Sequence, residues 1–232
     1  MNIWKFYSHQ TIDGKFDELE KDFANAGIEL VFDGHLDLPE TSELLMENAE
    51  MKAKAALKQR PDFHFALGDD SGVFIEALDY MPGVHSRRWF GEDDDDHGRN
   101  QKILEMMKNE AERDAFLISR FVLVNKDGEA LVKTSVKNHF IVAYSERGKQ
   151  GFGYDNILIP TVDSQEDSMW QNLWEHGLSE DDVMSVFDDG DFDFMETTIG
   201  EMTQEQKNLI TFRGRIAEKI KTQLIEEGVW ES

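Results

Sequence analysis

The chain contains no cysteine, so neither a disulfide framework nor a thiolate metal site can be built from it. It also lacks any apolar run near the roughly 20 residues that cross a bilayer as a helix. The opening residues Met1-Asn2-Ile3-Trp4-Lys5-Phe6-Tyr7 are too short an apolar stretch for the core of a signal peptide, and no small-residue cleavage site follows. Basic side chains are scarce: 24 Lys and Arg stand against 48 Asp and Glu, a net charge of −24. A protein that tracks a nucleic-acid backbone carries the opposite balance. These absences predict a soluble, cytoplasmic protein that neither enters a membrane nor binds nucleic acid. An anionic small molecule fits such a chain only where a metal ion and a few Lys or Arg neutralise it locally.

What is present suffices for a core. Of the 232 residues 40 % are hydrophobic, 16 of them Phe, enough for one large domain. Over residues 15–25, Phe16, Leu19 and Phe23 fall on one stripe, predicting a helix that ends at Gly27. Ile28-Glu29-Leu30-Val31-Phe32 reads as a strand, and residues 42–59 as a long helix with Pro61 just beyond it. Residues 63–67 and 73–78 are two short apolar segments, with Gly68-Asp69-Asp70-Ser71-Gly72 predicted as the turn between them. Asn125-Lys126-Asp127-Gly128 predicts a hairpin joining residues 121–124 to 130–135, with a further strand over 140–144. Thr203 with Gln206 has the spacing of a capping box, and Ile216, Ile220 and Leu224 line one face of a closing helix that stops at Gly228. Helices and strands alternate, which predicts an α/β domain around a mixed sheet.

One stretch departs from this pattern. Residues 161–196 carry no Lys or Arg and are dense in Asp and Glu, while Met169, Trp170, Leu173 and Trp174 have helical spacing. We read an acidic insertion within a single domain spanning 1–232, either packing an apolar face on a body or partner or serving as a mobile lid.

Three common motifs fail. Gly14-Lys15 is no phosphate loop, since His9 stands where the first glycine belongs and Phe16 follows the lysine. The acidic clusters do not keep calcium-loop spacing, and the seven histidines form no zinc-helix pattern. Asp69 and Asp70, bounded by glycines and with Glu40 upstream, are adjacent carboxylates suited to a hard cation with oxygen ligands. Taken alone the signal is weak, since paired Asp in a turn is usually solvated turn chemistry.

The neighbours of these aspartates extend the pattern. Glu40-Thr41, Glu47-Asn48-Ala49 with Lys52-Ala53, and Asp69-Asp70-Ser71-Gly72 resemble the signature of the inosine triphosphate pyrophosphatase family. Further blocks follow in order: Ala77-Leu78 and Pro82-Gly83-Val84 with Ser86 and Arg88, then Gly151-Phe152-Gly153-Tyr154-Asp155, then Glu201-Met202, Lys207-Asn208, Arg213-Gly214 and Ala217. Departures are visible too. The family's Thr/Ser-Asn-Lys phosphate loop is matched here by Ser8, Gln10 and Lys15, with two extra residues before the lysine. Thr211-Phe212-Arg213 stands for Ser-His-Arg, and Asn156 for the loop's usual proline.

The resemblance implies a long mixed β-sheet flanked by helices, in two lobes with the active site in the cleft between them, and a homodimer. It implies Mg²⁺-dependent hydrolysis of purine nucleoside triphosphates with a non-standard base to the monophosphate and pyrophosphate. Glu40 and Asp70 would be the metal ligands, Asp70 also the general base. Ser8, Gln10, Lys15, Lys52, Ser71 and Lys207 would bind the substrate, the lysines at its phosphates. Phe152, Gly153, Tyr154, Asp155, Phe212 and Arg213 would surround the base. Two alternatives stay open: a pyrophosphatase for another modified nucleotide, and a catalytically weak nucleotide-binding regulator.

Overall fold

A computed structural model describes residues 4–9, 19–20, 23–24, 27–31, 40–90, 95–161, 196–203, 206–207 and 214–230. Among the described residues seven strands form one mixed sheet: β1 (Trp4–His9), β2 (Ile28–Val31), β3 (Phe65–Ile75), β4 (Pro82–Gly83), β5 (Asp114–Asn125), β6 (Ala130–Val142) and β7 (Leu158–Pro160). The order is β2-β1-β3-β5-β6-β7, with β4 paired to β3. β1 runs parallel to both β2 and β3, whereas β4 and β7 join antiparallel. Among the described residues, helices with defined bounds are α1 (Leu45–Gln59), α2 (Asp96–Met106) and α3 (Gly214–Glu226). The α/β expectation is met.

The chain divides into two compact units, residues 1–71, 119–136 and 212–232 in the first, 72–118 and 137–211 in the second. In the first unit the period of two along each strand sends alternate residues to opposite faces. Leu67, Phe121 and Leu123 face one way, into a core with Leu19, Phe23, Ile216, Ile220 and Leu224. Ala66, Val122 and Val124 face the other, against Ala49, Ala53, Ala56 and Leu57 of α1. Both faces are therefore covered by helical residues, and truncating a buried Phe121 to Ala would cost about 3–5 kcal/mol.

Local signals hold at several points. Gly128 and Gly228 take the left-handed conformation at φ 80° and 69°, at the expected hairpin and just past the closing helix; Gly27 is left-handed too, at φ 81°, while most of the helix expected over 15–25 lies outside the described residues. At 125–129 the Asn125 side chain accepts from the amides of Asp127 and Glu129 at 3.0 Å. The Thr203–Gln206 box is reciprocal: the Thr203 amide donates to the Gln206 carboxamide at 2.9 Å, and the Gln206 amide to the Thr203 hydroxyl at 3.2 Å.

Three expectations are corrected. Helix α1 begins at Leu45 rather than at 42, because Ser42 turns its own side chain onto the entry: its hydroxyl accepts from the Leu44 amide at 3.0 Å. Strand β6 runs unbroken from Ala130 to Val142, so the segments 130–135 and 140–144 are not two strands. Most consequentially, Gly68-Asp69-Asp70-Ser71-Gly72 is no turn but the interior of the eleven-residue β3. Its glycines supply space. A Cβ on Gly68 would lie 2.0 Å from the Ala49 carbonyl oxygen, and one on Gly72 2.3 Å from that of Gly83.

The proposed insertion lies outside the described residues, apart from its ends at 161 and 196. Among the described residues no helix is long and apolar enough to cross a membrane.

Candidate active site

Helix α1 and strand β3 approach unusually closely because both present small residues. Ala49, Ala53 and Ala56 repeat at helical spacing and meet Ala66 and Gly68. Beside that alanine stripe, Asn48 and Lys52 lie four residues apart and are buried, Asn48 completely. The close approach carries both onto the strand at Asp69-Asp70. The Lys52 ammonium meets the Asp70 carboxylate at 2.7 Å and the Glu40 carboxylate at 2.6 Å, and donates to the Asp69 carbonyl at 3.2 Å. Asn48 donates to the other Asp70 oxygen at 3.1 Å and to the Ser42 carbonyl at 3.0 Å, while its own carbonyl accepts from the Ser42 amide.

Burial opposes the charge on Lys52, but the carboxylates of Asp70, Asp69 and Glu40 outweigh it and hold the ammonium above its ordinary pKa. Burial pushes the Asp70 carboxyl above the usual carboxylate range, further than Lys52 and Asn48 draw it down. Asp69 and Asp70 are 4 % and 5 % exposed, which removes the reading as solvated turn residues. Ser71 donates to the Ser119 hydroxyl at 2.9 Å.

This donor set fits a hard cation. Two carboxylates reach one point, marked by the ammonium they share. Among the described residues no group of three or more His, Asp or Glu could hold a metal by itself. Magnesium needs no such group when one or two carboxylates are completed by water and substrate phosphates.

The parallel pairing of β1 and β3 places Ser8 opposite Leu67 and His9 opposite Gly68. The chain therefore leaves the carboxyl end of β1 one residue from Asp69, the position at which parallel α/β sheets bind ligands. Gln10 and Lys15 lie outside the described residues, as do Phe212 and Arg213.

In the second unit the loop 151–155 folds around Asp155. Gly151 at φ 96° and Gly153 at φ 62° adopt backbone that side chains disfavour. A Cβ on Gly151 would strike the Asp155 carboxylate at 2.2 Å and the Lys207 nitrogen at 2.5 Å. Asp155 accepts from the Phe152 amide at 3.2 Å and meets the Lys207 ammonium at 3.4 Å, with Lys207 almost wholly buried. Tyr154 donates its hydroxyl hydrogen to the Ser86 carbonyl and accepts from the Trp89 indole at 3.1 Å. Burial raises that phenol to about 12. Phe152 is half-buried.

The structure thus joins Glu40, Lys52 and Asp70 in one unit, and Phe152, Gly153, Tyr154, Asp155 and Lys207 in the other. Sequence reasoning overlooked Asn48, although a buried Asn and Lys four apart on an alanine stripe were legible as one helix face. It also overlooked Asp96 and Asn100, which bond the Gly153 backbone, and Glu146, which bonds Asn100. Asp96 sits in an acidic run that reads as solvated.

The chain matches known proteins along most of its length. It is 30 % identical to a dITP/XTP pyrophosphatase of Gluconobacter oxydans (strain 621H) over 205 residues, covering 87 % of this chain and 82 % of that protein. A HAM1 protein of Coxiella burnetii superposes with a TM-score of 0.67 at 26 % identity, covering 97 % of this chain and 100 % of that one. A nucleoside-triphosphatase, dITP/XTP pyrophosphatase, of Mycobacterium abscessus ATCC 19977 / DSM 44196 gives 0.63 at 26 % identity, covering 93 % and 97 %. With residues 11–171 matched by the Ham1 family and these likenesses spanning the same fold, the chain belongs to the Ham1 family.

Proposed function

We propose that this chain hydrolyses non-standard purine nucleoside triphosphates, among them inosine, deoxyinosine and xanthosine triphosphates, to the monophosphate and pyrophosphate. Family membership and the activity named for its relatives support this reading. The observation that carries it is the convergence of Glu40 and Asp70 on one cationic point.

Glu40 and Asp70 would hold Mg²⁺, which when bound neutralises developing phosphate charge. Asp70 takes the proton of a water as its oxygen attacks the α-phosphorus. The bond from that phosphorus to the bridging oxygen breaks and pyrophosphate departs. Burial suits Asp70 to this role by raising its affinity for a proton. Asn48, donating to one Asp70 oxygen, orients the carboxylate. Lys52, with Lys15 and Lys207, offsets phosphate charge, and Ser8, Gln10 and Ser71 add neutral contacts. Phe152, Gly153 and Asp155 receive the base with Phe212 and Arg213. Tyr154 borders it through its ring, its hydroxyl being engaged by Ser86 and Trp89. We take the chain as one functional domain carrying an acidic insertion at 161–196, homodimeric and cytoplasmic.

The test is pyrophosphate release from a panel of inosine, deoxyinosine, xanthosine, guanosine and adenosine triphosphates, with Mg²⁺ and after chelation. Release from the first three, faster than from adenosine triphosphate and abolished by chelation, is expected. No release from any of them overturns the reading. Phe212→His should widen the preference for inosine over adenosine triphosphate, since the imidazole restores a donor to a 6-keto oxygen.

A further inference from the structure

A loop with two left-handed glycines satisfies its backbone only in part from within, as where the Asp155 amide donates to the Phe152 carbonyl at 3.2 Å, and the remaining polar groups need partners from elsewhere. At Gly153 both come from α2. The Gly153 amide donates to Asp96 at 2.6 Å, and its carbonyl accepts from Asn100 at 3.1 Å. The two side chains stand four residues apart on one helix face and grip the same glycine through its two flanking peptides.

Each is held in turn. Asp96 uses its second oxygen to accept from Arg99, a buried residue whose guanidinium also donates to the Arg87 carbonyl at 3.0 Å. Asn100 is wholly buried, and its amide nitrogen donates to Glu146 at 3.1 Å as well. Glu146 also accepts from Gln101 at 3.0 Å and lies 2.5 Å from His97. An acidic residue in a charge run and an Asn on a short helix are thereby committed to one glycine, 57 and 53 residues away.

We propose that Asp96 and Asn100 are positioning residues for nucleotide recognition, fixing Gly153 so that the loop 151–155 meets the base preformed. This rests on the pyrophosphatase reading above. A loop ordered beforehand binds without paying its ordering entropy at that moment, so loosening it weakens affinity rather than chemistry.

The experiment compares wild type with Asp96→Ala, Asp96→Asn and Asn100→Ala. Affinity is measured for the α,β-methylene analogue of inosine triphosphate, alongside kcat on inosine triphosphate, amide exchange of the 151–155 segment and melting temperature. The Asp96 side chain is 42 % exposed, so its removal spares the core, and Asp96→Asn keeps both shape and one acceptor should the alanine variant not fold. Expected are a Kd weakened about tenfold in the alanine variants, the worth of one or two hydrogen bonds, and faster exchange at 151–155. The Asp96→Asn variant falls between, and kcat stays within about twofold. A lowered melting temperature with Kd unchanged overturns the proposal, since the contacts then only brace the fold. Unchanged exchange overturns it as well. Should wild type bind the analogue yet release no pyrophosphate, the enzymatic reading fails while the Kd comparison still decides positioning. Absence of binding to wild type defeats both.

Discussion

At Lys52 an ammonium with 9 % of its side chain exposed is shared by the Glu40 and Asp70 carboxylates. A cation bound by the same carboxylates would compete with it. Replacing Lys52 by Met leaves the buried Asp70 carboxylate facing the half-buried Glu40 carboxylate, and breaking a fully buried pair in this way costs about 3–5 kcal/mol, an upper bound here. We expect the metal-free Lys52→Met protein to melt below wild type. Added Mg²⁺ should then raise its melting temperature by more than it raises that of wild type, because binding to the native state alone stabilises it. Equal increments in a calorimetric melt would show that Lys52 and the ion do not compete. At Asp70, substitution by Asn keeps the shape and removes the base. Turnover should fall by at least about two orders of magnitude with the circular dichroism spectrum unchanged, and a near-wild-type rate would remove Asp70 from its role.

Between elements, the α1–β3 contact depends on a missing Cβ. Gly68 has ordinary extended backbone, yet a Cβ there would come within 2.0 Å of the Ala49 carbonyl and 2.7 Å of the Ala53 nitrogen, both helix backbone. Gly68→Ala must therefore push α1 off the strand and separate Asn48 and Lys52 from Asp70. Gly128 presents the opposite case, with φ 80° and nothing within 4 Å of an added Cβ. Alanine there meets only the left-handed backbone penalty, about 1–2 kcal/mol. Denaturant unfolding should show Gly68→Ala losing about 3 kcal/mol or more, at the upper end for overpacked cores. Activity should collapse in that variant alone. A smaller loss than for Gly128→Ala would mean that α1 gives way easily.

Across the molecule as a whole, like charge is in large excess. A net −24 on 232 residues makes the folded state repel itself, and salt relieves that repulsion by screening. Raising monovalent salt from about 0.05 to about 0.5 M, where the Debye length shrinks several-fold, should raise the melting temperature in the absence of Mg²⁺. A fall would mean that favourable ion pairs, such as Lys133 with Glu50 at 2.6 Å, outweigh the excess of like charge.

The sequence by itself determined what depends on a few consecutive residues. The left-handed Gly128 and Gly228, the Thr203–Gln206 box, the apolar face of α3 and the order of the site blocks were legible. Each is set by backbone preference, or by side chains within one helical turn of each other. Only the tertiary structure decided the use of Gly68 and Gly72. A glycine in a run of polar residues looks like a turn whether it supplies a positive φ or a place for another backbone to approach. The same limit hid the pairing of Asn48 and Lys52 with Asp70, 22 and 18 residues away, and of Asp96 with Gly153, 57 residues away. Those contacts exist because small residues let a helix lie close on a strand, and because a loop's backbone must find partners. Both conditions are met only once distant parts of the chain have packed.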